Sequence, residues 1–76
     1  MDGNQDKAFK IFEENTHRHP NSSSAYRYLA EGYLKVDNID MAIKTYEKAL
    51  VLATNAKDEN IEFIKKRLDG IKANKK

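Results

Sequence analysis

Two histidines stand two residues apart in His17-Arg18-His19 and could together ligate a metal ion. A site of that kind needs three or four ligands, and no third ligand is in sight. The run reads better as a polar helix end, where imidazoles face the negative pole of the helix dipole and Pro20 stops the helix. Ser22, Ser23 and Ser24 offer hydroxyl nucleophiles, but a nucleophile needs a partner base and none is suggested. One of them reads as the N-cap of the following helix. The segment from Lys65 to Lys76 holds six basic residues and one acid, Asp69. Such a run could meet nucleic acid or an acidic partner. No aromatics interleave its lysines, however, and a solvated helix end explains it as well. The three glycines are scattered and form no phosphate loop, and no acid–base pair falls in a predicted cleft. The chain therefore reads as a non-enzyme with no cofactor and no metal.

What remains is the chemistry of recognition, and it depends on helices. Tyr26, Leu29, Ala30 and Tyr33 fall at i, i+3, i+4 and i+7, the spacing of one buried helix face. Ile39, Ala42, Ile43, Tyr46, Ala49, Leu50 and Ala53 repeat that period. Between the stripes lies Asp37-Asn38, where Asp and Asn tolerate left-handed backbone and Asn38 suits an N-cap. So short a link makes the two helices antiparallel neighbours. Ala30, Ala42 and Ala49 would let their backbones approach closely. The pattern predicts an all-α fold of four antiparallel helices, over residues 5–17, 23–36, 39–53 and 58–73. Opposite the core stripe of helix two the wheel places Ser24, Arg27, Tyr28, Glu31 and Lys35. Tyr28 is an aromatic centred on a polar face.

The order of aromatic and small residues in this hairpin resembles the tetratricopeptide repeat, a helix–turn–helix unit of about 34 residues. Its slots read Tyr26, Leu29, Ala30, Tyr33, Ala42 and Tyr46, followed by Ala49 and Leu50. Tyr26 stands where Trp is usual, Ala30 where Gly is common, Asp37 where the turn normally has Gly, and Thr54 where Pro closes the unit. Ala8 and Phe12 precede Ala42 and Tyr46 by one repeat length, about 34 residues, and Pro20 precedes Thr54 likewise. The resemblance implies a short α-solenoid fragment. Residues 1–22 would be the second helix of a degenerate preceding repeat, 23–56 a full repeat, and 57–76 a capping helix with a basic tail. It also implies a binding function, with the outward face of helix two lining a concave groove for a peptide or extended segment of a partner protein.

Ile61, Ile64 and Leu68 continue the stripe of helix two one repeat later, with Phe63 off it and Lys65 standing where Ala30 stood. A charge in that slot marks a solvating cap. At the other end, Ala8, Phe9, Ile11 and Phe12 form an apolar face with no upstream helix to cover it. The alternative function is therefore an assembly element, in which Phe9 and Ile11 pack on another copy or on a parent domain of a longer protein. The chain has 76 residues and a net charge of +2, enough for one small domain of modest stability. Repeat arrays usually need about three units, so a longer parent protein is expected. No apolar run is long enough to span a bilayer, and no membrane partner is expected. Cysteine is absent, which leaves the compartment unassigned, with the cytoplasm slightly favoured.

Overall fold

A computed structural model of the chain describes residues 3–74, with side-chain surroundings from Lys7 to Asn74. Four α-helices follow one another: α1 (Gly3–Arg18), α2 (Ser23–Lys35), α3 (Ile39–Ala56) and α4 (Ile61–Asn74). Each packs mainly on its neighbour in sequence, as short links between antiparallel helices require. The all-α expectation holds, and the helices are displaced from the expected bounds chiefly around the α3–α4 link.

Local chemistry sets the ends. The Ser22 side chain accepts the Ala25 N–H at 3.2 Å and caps α2. Asn38 does the same for α3, accepting from the Met41 N–H at 3.4 Å. At the end of α2, Asp37 has φ 62°, and the Asn38 and Asp37 N–H groups donate to Tyr33 and Leu34 carbonyls at 2.9 and 3.0 Å. This is the Schellman pattern, which satisfies carbonyls that would otherwise be orphaned. The end of α3 repeats it: Lys57 has φ 54°, and Asp58 and Lys57 donate to the carbonyls of Ala53 and Thr54. Thr54, Asn55 and Ala56, expected in the link, thus stay helical. Asp58, expected in the first turn of α4, instead forms an Asx turn in which its Oδ1 accepts the Asn60 N–H at 2.9 Å.

The core lies between α2, α3 and α4. Ala30 of α2, Tyr46, Ala49 and Ala53 of α3, and Ile64 and Leu68 of α4 form it. Tyr46 and Ile64 are its two largest fully buried side chains, with alanines filling the rest. The alanines bring α2 and α3 close enough to exclude water with little side-chain bulk. The Cα trace occupies a slab of only 39 × 34 × 15 Å, so many side chains reach solvent. Buried threonines are satisfied within their own helices: Thr45 Oγ1 donates to the Met41 carbonyl at 2.7 Å and Thr16 Oγ1 to that of Glu13 at 2.6 Å.

α1 joins through aromatic rings. Phe9 meets Tyr33 edge-on at 4.8 Å, and Phe12 stacks on Tyr28 at 6.5 Å. Gly32 lies beneath both: a Cβ there would come within 3.0 Å of Phe12 and 3.3 Å of Phe9. Gly32 is therefore part of the α1–α2 contact. Gly70, within α4, has open space where its Cβ would be. A helix-interior glycine costs about 0.8–1 kcal/mol relative to alanine. Gly70→Ala should therefore raise unfolding free energy in urea by about that amount. Gly32→Ala should lower it in spite of the same propensity gain, because the Phe12 ring must move. The left-handed backbone at Lys57 costs about 1 kcal/mol in a side-chain-bearing residue, so Lys57→Gly should also stabilise the fold in the same assay.

Candidate functional site

Three successive turns of α2 reach toward α4 and the link before it. In the first turn Ser23 is buried, and its Oγ donates to Asp58 Oδ2 at 2.8 Å. One turn on, the Arg27 guanidinium lies 4.8 Å from the Tyr28 ring centroid and 5.1 Å from that of Phe63. Another turn on, Glu31 accepts two hydrogen bonds from Arg67, one from Nε and one from Nη2, each at 2.9 Å. The Tyr46 hydroxyl of α3 also donates to Glu31. Residues 23, 27 and 31 share one stripe of α2 because the helix repeats every 3.6 residues. Asp58, Phe63 and Arg67 meet them in order, giving a polar ladder between α2 and α4.

The charges in this ladder are mutually set. Arg67 holds the Glu31 carboxyl below its usual 4.5, outweighing partial desolvation, with the Tyr46 hydroxyl assisting. Burial, and then the Glu31 carboxylate, push the Tyr46 phenol up to about 12. Glu31 in turn raises Arg67. The Asn60 N–H and then the Ser23 hydroxyl keep Asp58 below its usual 3.8. The Glu31 and Arg67 side chains are 28% and 46% exposed, so the ion pair itself contributes little in water. Its larger role is to keep a charged acceptor under the buried phenol, since an unsatisfied buried hydroxyl costs about 1–3 kcal/mol.

The five residues expected on the outward face of helix two have different circumstances. Lys35 is exposed, and Ser24 is half-buried. Tyr28 is 47% exposed, with one side of its ring against Phe12 and the Arg27 guanidinium over it. Glu31 is engaged by Arg67 and Tyr46. Arg27 is half-buried, and its Nε is buried with no acceptor among the described residues. On α4, Phe63, Lys66, Arg67, Gly70, Ile71 and Asn74 line an open depression of about 410 Å³, which meets α2 through the contacts of Phe63 with Arg27 and of Arg67 with Glu31. Arg67 and Lys72 pair with Glu31 and Glu47, whereas Arg27, Lys35 and Lys66 form no ion pair among the described residues.

Of the two residues expected on the packing face of helix one, Ile11 is 56% exposed and Phe9 is half-buried against α2. His17 and His19 are both exposed, and among the described residues no group of three or more His, Cys, Asp or Glu could hold a metal. No helix among them is long and apolar enough to cross a membrane. The roles of Ser23, Asp58 and Arg67 were not apparent from sequence. The available signal was the i, i+4, i+8 spacing of Ser23, Arg27 and Glu31, readable only once α4 is known to lie opposite.

The ladder makes stability depend on pH from both sides. Glu31 and Asp58 have depressed folded values, so their contribution is present above the unfolded values of about 4 and fades as pH falls through the folded ones. Tyr46 has a raised value, so its contribution is complete below pH 10.0 and is lost as pH rises from there to about 12. Urea midpoints should be level from about pH 5 to 9 and fall on either side. In Tyr46→Phe the alkaline fall should shrink while the acid fall persists, and an unchanged alkaline fall would remove the phenol as its source. Compared with known proteins, the chain matches no family model, no curated protein and no solved structure.

Proposed function

We propose that this chain is a tetratricopeptide-like interaction module that captures an extended segment of a partner protein on the face shared by α2 and α4. The observation that carries the reading is Arg27. Its guanidinium is held between two partly exposed aromatic rings, and its buried Nε has no acceptor among the described residues. A desolvated donor without an acceptor is costly to the fold. It is explicable where a ligand is to be gripped by the rest of the same group, in the manner of aromatic and arginine anchors at protein interfaces. The repeat-like arrangement supports the reading as well: Phe12 of α1 lies on α2, and one repeat length later Tyr46 of α3 lies against α4.

The assembly reading has weaker support. Ile11 and Ala8 are exposed on α1, but Phe9 turns toward Tyr33 and Gly32, leaving one large apolar side chain to offer. Nucleic-acid binding through the basic C-terminal run is also less well supported. Arg67 and Lys72 are engaged within the fold, and Lys75 and Lys76 lie outside the described residues.

Peptides selected from a random display library against the full chain supply the test. Arg27→Met keeps an apolar stem between Tyr28 and Phe63 while removing the charge and the orphaned donor. It should lower affinity for the selected peptides about tenfold or more, consistent with loss of an interface anchor, without lowering the melting temperature. Lys35→Glu should weaken capture with the fold intact. Unchanged capture by both variants would overturn the groove reading.

A further inference from the structure

Gly32 and Gly70, both inside helices, differ in a way the fold does not explain. Gly32 sits where any side chain would press on Phe12, and its place is dictated by α1. Gly70 has nothing near the position of its absent Cβ, so packing within the chain does not demand it, although it weakens the helix. It lies in the wall of the open depression, between the exposed ring of Phe63 and the half-buried Ile71. The depression is positive. Its lining holds two cations, Lys66 and Arg67, and no acid; Lys66 is exposed and forms no ion pair among the described residues, Arg67 is paired with Glu31, and the Arg27 guanidinium meets its rim 5.1 Å from the Phe63 ring. A missing side chain beside an exposed aromatic is the feature that lets another backbone come close, and the surrounding charge sets the sign of what approaches.

We infer that α4 carries a docking notch for an acidic partner segment, whose backbone crosses at Gly70 with an apolar side chain between Phe63 and Ile71 and carboxylates toward Lys66 and Arg27. The inference rests on the groove reading and deepens it, moving the principal contact from α2 to α4 and fixing the partner's charge. The segment is recognised by shape at Gly70 and by sign at the cations, so its affinity falls as salt screens the charges.

The probe is a short fluorescein-labelled peptide of glutamate and leucine, with a lysine and leucine peptide of the same length as control, followed by anisotropy on the full chain. The acidic peptide should bind, more weakly as salt rises, and the basic one should not. Gly70→Ala should raise the melting temperature by about 4 °C through helix propensity and yet weaken the acidic peptide about tenfold or more. Opposite signs for stability and binding cannot arise from a damaged fold. Lys66→Glu should reverse the preference between the two peptides. Undiminished binding by Gly70→Ala, or equal binding of both peptides by the native chain, would overturn the notch. If Arg27→Met still weakens capture of library-selected peptides in that case, the groove reading survives without it. Failure of both variants to affect any peptide removes the two together.

Discussion

The phenol of Tyr46 has to be buried, and its hydroxyl has to be satisfied. Tyr46 is fully buried at the centre of α3, where it shares one core cluster with Ala30 of α2 and with Ile64 and Leu68 of α4. Alanines around it leave room for the ring but offer nothing for its oxygen. Glu31 supplies the acceptor, and the price is a carboxylate drawn partly out of water. Arg67 offsets that cost with a two-pronged contact that fits the carboxylate plane. One buried hydroxyl thus fixes a residue on α2 and a residue on α4. The relative placement of those helices follows from it, and with it the spacing of the face on which Arg27 and Phe63 meet.

This accounts for the character of the α2–α4 contact. Helices that neighbour in sequence are joined mainly by apolar packing, alanine against ring on α2–α3 and ring against ring on α1–α2, with the Tyr46–Glu31 hydrogen bond and the Lys72–Glu47 ion pair added to it. Between α2 and α4, besides the core cluster they share with α3, the contacts are a hydroxyl on a carboxylate of the preceding link, a guanidinium near the Phe63 ring and an ion pair. Polar contacts of this kind are directional, so they specify register where a small apolar core would tolerate sliding. They also leave the outer edge of the ladder wet. A thin slab with two large buried side chains tolerates few unsatisfied groups, and the ladder together with the intrahelical bonds of Thr16 and Thr45 leaves only the Nε of Arg27 unmatched among the buried side-chain atoms of the described residues.

The hairpin was legible in sequence because helix period, turn chemistry and residue size agree there. Ala30, Ala42 and Ala49 are fully buried as their stripe demanded, and Asp37 takes the left-handed backbone expected of the turn. The α3–α4 link was less legible. A side-chain acceptor at Asp58 could start a helix or close an Asx turn, and only the proximity of Ser23 and the left-handed Lys57 settle which. The candidate face was legible in part. A helical wheel separates core from surface on one helix, but it does not contain the neighbour. It therefore grouped Glu31, which is engaged by Arg67, with Lys35, which is exposed. It also had no means to place Phe63 against Arg27, since those residues lie on different helices. Tyr28 shows the same limit: its ring belongs at once to the outward face and to the seat of Phe12.

Apart from the left-handed Lys57 at the end of α3, most local choices in this chain agree with the fold, including its N-caps, its alanine seam and the glycine under Phe12. Arg27 and Gly70 do not, since one leaves a buried donor unmatched and the other gives up helix stability with no contact in return. Exceptions to local consistency are expected where a chain serves something outside its own packing. Phe63 links them: the Arg27 guanidinium lies 5.1 Å from its ring, and Phe63 lines the same depression as Gly70. The ladder gives them a fixed separation, so a segment lying across the face would meet a preorganised pair of contacts and lose less freedom on binding than it would against two mobile side chains. The constraint that buries Tyr46 is, on this view, also what gives the open face a defined shape.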